Sequence, residues 1–262
     1  MNINLAGKTA LITGSTSGMG FAAARALAAS GVTTILHGRT DAHVTAARQK
    51  LVQELPKAEV RGVAADFGDR DATDRLIAKE PRVDILVTSA GPTDSRPFFE
   101  ISDEEWEQFF RIYVMSTVRL SRQYAKHMMA RGWGRLIFNA HVLSGYMSGE
   151  MVHWGVCKAG LLGLSRGLAE NLAGSGVTAN AFVPGPTHTE ESFKRRAKLP
   201  EGKSFADVET EIFEGPLQHS ILKRFIHPSE VANLVVFLAS EQASAITGAV
   251  MRVDGGSIRF PV

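Results

Sequence analysis

The fold turns on TGSTSGMG (residues 13–20). It follows KTALIT (residues 8–13), a short run of apolar and β-branched residues, and leads into FAAARALAAS (residues 21–30), an alanine-rich stretch of high helix propensity. The order is strand, glycine-rich turn, helix. Gly14 lets the chain turn, Gly18 lets backbone come close to a phosphate, and Gly20 lets the helix pack tightly against the strand. The positive end of the helix then faces the turn, so the spacing predicts a pyrophosphate held there, with Gly14, Ser15, Thr16, Ser17, Gly18, Met19 and Gly20 as candidate contacts. A glycine-rich turn alone is a weak signal, and its place between a strand and a helix is what gives it weight.

Outward from that unit the pattern repeats. TTILH, EVRGVAA, DILVTSAG, GRLIFN, VTANAFV and AVMRVDGG read as further strands. DAHVTAARQKLVQEL, DRDATDRLIAKE, residues 103–130 and CKAGLLGLSRGLAENLA read as helices between them, the last with Leu161, Leu164, Leu168 and Leu172 at helical spacing. Ser102 is a natural N-cap for the helix that starts at Asp103. Strands alternating with helices imply parallel pairing through right-handed crossovers, an α/β doubly wound sheet of Rossmann type, and residues 1–262 as one domain. Between residues 185 and 228 the period loosens into mixed charge, Gly and Pro. An insertion after a strand's C-terminal end is where such folds build substrate lids, and the plainer alternative is a solvated loop with two small helices.

Composition excludes several classes. Lys plus Arg number 29 against 27 Asp plus Glu, which gives no reason to expect a nucleic acid or an anionic membrane as partner. The start, MNINLAGKTALITG, lacks a signal-peptide pattern, and no apolar run is long enough to span a bilayer. A single cysteine, Cys157, cannot form an internal disulfide, which fits a reducing cytoplasm, and its place inside a helix reads as packing rather than nucleophilic chemistry. The eight histidines make no metal-ligand spacing, so no metal is expected.

The end of the second strand bears on the cofactor. An acid there would grip a ribose 2′-hydroxyl, whereas an arginine accommodates a 2′-phosphate. The chain has HGRT, with Arg39 and no acid before Asp41. NADP is therefore expected ahead of NAD; the alternative has Arg39 as a surface residue beside adenine in either nucleotide and His37 as strand-end filler.

Spaced glycines, Asp66 after the third strand, TSAG (residues 88–91) after the fourth, KAGLLGLSRGLAENLAGSGVTANAFVPG and the terminal SAITGAVMRVDGG together resemble the short-chain dehydrogenase/reductase family over essentially the whole chain. The resemblance implies a three-layer fold around about seven parallel strands, a dinucleotide across their C-terminal edge, a small-molecule substrate, and a homodimer or homotetramer. It implies that Asp66 and Phe67 border adenine, that Ala90 and Gly91 line the cofactor, and that the segment through Pro184, Gly185, Thr187 and Thr189 reaches the nicotinamide. TSAG departs from the family's more usual pair of asparagines.

The family's catalytic positions carry over one by one. KAGL fixes Lys158 as the lysine that holds the nicotinamide ribose. Four residues earlier, where the family has its proton-donating tyrosine, stands Trp154; thirteen before that, in place of the serine, stands His141. The position of the family's helix asparagine, counted from Trp106, falls on Tyr113. An indole N–H does not release its proton near neutrality, so Trp154 cannot be the acid. Imidazole titrates near neutrality when unperturbed, which makes His141 the leading proton donor or acceptor, with Tyr113 a second candidate. The resulting expectation is an NADP(H)-dependent oxidoreductase with an atypical proton-transfer site. Two alternatives stand beside it: non-redox chemistry (a lyase, isomerase or cyclase step) in a nicotinamide-binding pocket, and a cofactor-binding pseudoenzyme in which His141, Trp154 and Tyr113 only fill space. Helical phase places His153 away from Trp154, and Tyr146 falls in a loop.

Overall fold

A computed structural model describes residues 3–141, 149–189 and 204–259. Its centre is one parallel sheet of seven strands: β1 (Thr9–Ile12), β2 (Thr33–Gly38), β3 (Val60–Ala64), β4 (Ile85–Thr88), β5 (Gly134–Asn139), β6 (Val177–Pro184) and β7 (Val250–Val253). Their order across the sheet is β3-β2-β1-β4-β5-β6-β7, so the winding reverses between β1 and β4. Open α/β sheets bind ligands at that reversal, outside the carboxyl ends of the strands. The turn after β1 and the TSAG turn after β4 both end there.

Consecutive strand residues point to opposite faces, and the sequence supplies apolar groups to both. Ile12, Leu36, Val87 and Ile137 face a core shared with α1 (Gly18–Ala29), α2 (Asp41–Glu54) and the last α-helix, α8 (Pro228–Ala239). Their neighbours Leu11, Ile35, Leu86 and Leu136 face the opposite core, built with α3 (Ala72–Lys79), α5 (Ser116–Ala130) and α6 (Val152–Asn171). Burial on both faces explains why the strands read as near-continuous apolar runs.

The stretch read as one helix over 103–130 begins as expected, with Ser102 and Glu105 closing a capping box on α4 (Asp103–Phe110). It is not uniform, however. Arg111–Met115 forms a π-helical turn before α5, and such a turn rotates the residues that follow it relative to the α-helical phase. Tyr113 sits in it. In the loosened stretch, residues 204–228 are organised by α7 (Phe205–Glu214), capped by Ser204 and Asp207, and by an aromatic cluster of Phe205, Phe213 and Phe225. An isolated bridge between Thr187 and Ile226 ties its return to the segment after β6. Residues 190–203 of the expected lid lie outside the described residues.

Candidate active site

The turn after β1 has the shape that its glycines demand. Gly14 and Gly18 adopt positive φ angles of 65° and 56°, and a Cβ on Gly20 would overlap the Gly14 carbonyl oxygen. Ser17 caps α1 in sequence position only, since its side chain makes no capping bond, which leaves the first N–H groups of the helix to an outside acceptor. Ser15 is fully buried, its hydroxyl donating to Ile12 and accepting from the His37 N–H, so its side chain serves the turn and not the cleft. Beneath the turn lies His37. The Gly14 N–H donates to Nδ1 at 3.1 Å, which makes Nε2 the protonated nitrogen, and that N–H donates to the Ala65 carbonyl at 3.0 Å. Burial pushes the His37 pKa down to about 4, and its ring stacks on Phe67 at 4.4 Å. His37 is thus a clamp that joins the ends of β1, β2 and β3.

A cleft of about 380 Å³ runs from this turn across the strand ends. Thr16, Ser17, Gly18, Met19 and Gly20 line one end of it, with Gly14 and Gly91 beside them, and Lys158, His141 and Trp154 line the other. Pro184, Gly185, Thr187 and Thr189 form a further wall, with Thr189 packed beside Gly18. Asp66 and Arg39 are exposed at the ends of β3 and β2, Ala90 lies against Gly14, and Phe67 stacks on His37 and does not line the cleft. A glycine cradle that any Cβ would close, open helix N–H groups and a lysine at the far end fit a dinucleotide.

Three strand ends are stitched together on the floor of the cleft. The Thr13 hydroxyl, after β1, accepts from the N–H groups of Ser89 and Ala90, after β4, at 3.0 and 3.1 Å. The Asn139 amide, at the end of β5, donates to the Ser89 hydroxyl oxygen at 3.0 Å. Lys158 Nζ, buried on α6, donates to the Asn139 main-chain carbonyl at 2.8 Å, and burial pushes its pKa down to about 7. TSAG, which has no asparagine of its own, is thus bonded from both sides, by the Thr13 hydroxyl and by the Asn139 amide.

Tyr113 is buried, with its ring laid over Gly91, where a Cβ would collide with it, and 5.3 Å from Lys158 Nζ. Its hydroxyl donates to the Pro92 carbonyl. That commits its proton to the main chain. His141, half-buried at the end of β5, meets Trp154 with ring centroids 4.9 Å apart. The Trp154 Nε1 is enclosed and has no hydrogen-bond partner among the described residues. His153 turns away from this pair, as its phase predicts, into a pocket between Trp106 and Phe109. Cys157 is buried, and burial pushes its thiol up to about 11, which keeps it protonated and inert. Tyr146 lies outside the described residues. Among the described residues no group of His, Cys, Asp or Glu is placed to hold a metal ion.

Ser89, Asn139, Met151, Leu217, Asp254 and Ile258 also line the cleft, and none was singled out from the sequence. Asn139 carried the one available signal, an amide in an otherwise apolar strand end. Leu217 and Ile258 reach the cleft only through tertiary packing of segments far apart in the chain.

Comparisons with known proteins agree with this geometry. The family model described as enoyl-(acyl carrier protein) reductase matches residues 14–257. The chain is 39% identical to the uncharacterized oxidoreductase YvaG of Bacillus subtilis (strain 168), over 99% of each chain. It is 31% identical to the 3-oxoacyl-[acyl-carrier-protein] reductase FabG of Aquifex aeolicus, over 98% of this chain and 99% of that one. Among solved structures it resembles L-sorbose reductase from Gluconobacter frateurii complexed with NADPH and L-sorbose, with a TM-score of 0.91, 30% identity and full coverage of both chains.

Proposed function

The chain belongs to the short-chain dehydrogenase/reductase family of oxidoreductases, and from that premise we propose an NADP(H)-dependent enzyme that reduces a carbonyl or oxidises the matching alcohol, with His141 handling the proton. The observation that carries this reading is one cleft lined by the glycine turn, Lys158 and His141, in which the residue at the family's tyrosine position, Trp154, keeps its N–H enclosed. When bound, the nicotinamide gives or accepts the hydride. Lys158 holds the ribose hydroxyls beside it. His141 gives a proton to the oxygen of a carbonyl being reduced, or takes one from an alcohol being oxidised. Trp154 packs against His141 and closes the wall of the pocket, and Tyr113 assists by shape, through its ring over Gly91 and beside Lys158.

Preference for the phosphorylated nucleotide rests on the end of β2. Gly38 occupies the last position of the strand, and a Cβ there would come within 2.5 Å of Thr16 Cγ2, so no acidic side chain projects from it without displacing Thr16. Arg39 follows, exposed, with a planar fork suited to the 2′-phosphate. NADP is favoured and NAD is the weaker ligand. The lone cysteine fits a reducing cytoplasm, and there we place a homo-oligomeric enzyme acting on a small molecule.

Two measurements test this. Calorimetric titration of both nucleotides should find that Arg39→Ala weakens NADPH at least about tenfold more than NADH, and equal losses would remove Arg39 from phosphate recognition. Incubation with NADPH and a panel of ketones should consume NADPH. Conversion of a panel member with no change in nicotinamide absorbance would replace redox chemistry with the non-redox alternative.

A further inference from the structure

The hydrogen-bonded chain across the strand ends has one link with no counterpart in the family pattern read from the sequence: the amide of Asn139 on the hydroxyl of Ser89. Asn139 is buried, and the three residues before it in β5, Leu136, Ile137 and Phe138, are fully buried apolar groups. An amide enclosed at such a place is retained only where its bonds are made, since an unpaired one destabilises. Both bonding ends of Asn139 are in use toward the site. Its side chain holds Ser89, which is held in turn by Thr13 beside the phosphate turn, and its main-chain carbonyl receives the Lys158 amine at 2.8 Å. Fixing the side chain fixes the peptide plane, and the peptide plane sets the direction in which that carbonyl holds Nζ.

We propose that Asn139, anchored on Ser89, is a positioning residue that aims the Lys158 amine at the ribose of the bound dinucleotide. This assignment rests on the cofactor reading given above. It supplies an amide from the end of β5 to TSAG at the end of β4, which has none, so that the glycine turn and the ribose-binding lysine form one continuous hydrogen-bonded frame. Asn139 acts through Lys158 and touches no reacting atom.

The test is NADPH affinity, read from the nucleotide's own fluorescence, beside the thermal midpoint of the nucleotide-free protein. Asn139→Val keeps the strand and its main-chain carbonyl while removing the anchor, and should weaken NADPH about tenfold. Ser89→Ala, on the other side of the same bond and outside the strand, should weaken it in the same direction and keeps the question open to measurement if the first variant folds poorly. In a Lys158→Met background, Asn139→Val should cause no further loss, because the group it aims is gone; a merely structural role would cause the same loss with or without the amine. The exchanged pair, Ser89→Asn with Asn139→Ser, restores an amide-to-hydroxyl bond with the roles reversed and should recover most of the affinity. Parental affinity in Asn139→Val, or a loss of equal size in the Lys158→Met background, overturns the assignment alone. A parent that binds neither NADPH nor NADH overturns the cofactor reading and this assignment with it.

Discussion

His141 and Trp154 meet ring to ring in the wall of the cleft, and the chemistry of imidazole and indole separates the effects of their variants. Trp154→Phe removes a donor that does not titrate and whose N–H is already enclosed, so turnover should fall by less than about tenfold in a steady-state assay. Tyr113→Phe should likewise leave most activity, because the phenol donates to the Pro92 carbonyl and contributes by its ring. A collapse of turnover in Tyr113→Phe would move the proton to the phenol. At this scale the sequence was informative where a residue type has a fixed capability, as with indole at position 154. It was uninformative where the role depends on neighbours. His37 entered only in the plainer alternative, as strand-end filler, yet it bonds Gly14 and Ala65 at once, an arrangement set by three strands meeting in space.

That clamp gives the β1 turn a pH dependence. In the unfolded chain the His37 imidazole takes a proton below about pH 6.5, while in the folded chain it resists until about pH 4. Its contribution to stability is therefore complete above 6.5 and is lost as the pH falls through about 4, a change on the order of 3 kcal/mol. Urea midpoints measured from neutral pH downward should fall more steeply for the parent than for His37→Gln, and parallel curves would remove His37 as the cause. Protonated Nδ1 would also oppose the Gly14 N–H that now donates to it, so the turn and the nucleotide affinity should weaken only as the pH approaches about 4, where the folded-state ring takes its proton. The turn itself is intolerant of added atoms. Gly20→Ala places a Cβ against the Gly14 carbonyl, should destabilise the fold by roughly 2 kcal/mol in chemical unfolding, and should abolish NADPH binding. The strands were legible as short apolar, β-branched runs, and most helices by helix-forming composition between turns that carry caps or glycines. The π-helical turn at Arg111–Met115 was not, since it lies inside a continuous helical pattern with no Gly or Pro to mark it.

Across the whole molecule the sheet reverses its winding between β1 and β4, and the glycine turn after β1 together with the family resemblance pointed to that carboxyl edge, which is why the place of the site was readable before its contents. The cleft wall supplied by Leu217 and Ile258 was not, because neither segment carries a motif. α4 and α6 each present a large apolar side chain to solvent, Phe110 and Val156, about half exposed. Together with the open glycines Gly163 and Gly167 on α6, these should bury against a second copy. Light scattering at micromolar concentration should return a multiple of the 28.3 kDa chain mass, and a monomeric mass would contradict it. With Trp154 standing four residues before Lys158, the proposed reaction turns on which group moves the proton. With the ketone that the parent reduces fastest, His141→Ala should lower kcat by about a hundredfold or more while its NADPH affinity stays within about twofold of the parent's. Turnover within about threefold of the parent's, at the same NADPH affinity, would contradict His141 as the proton-handling group.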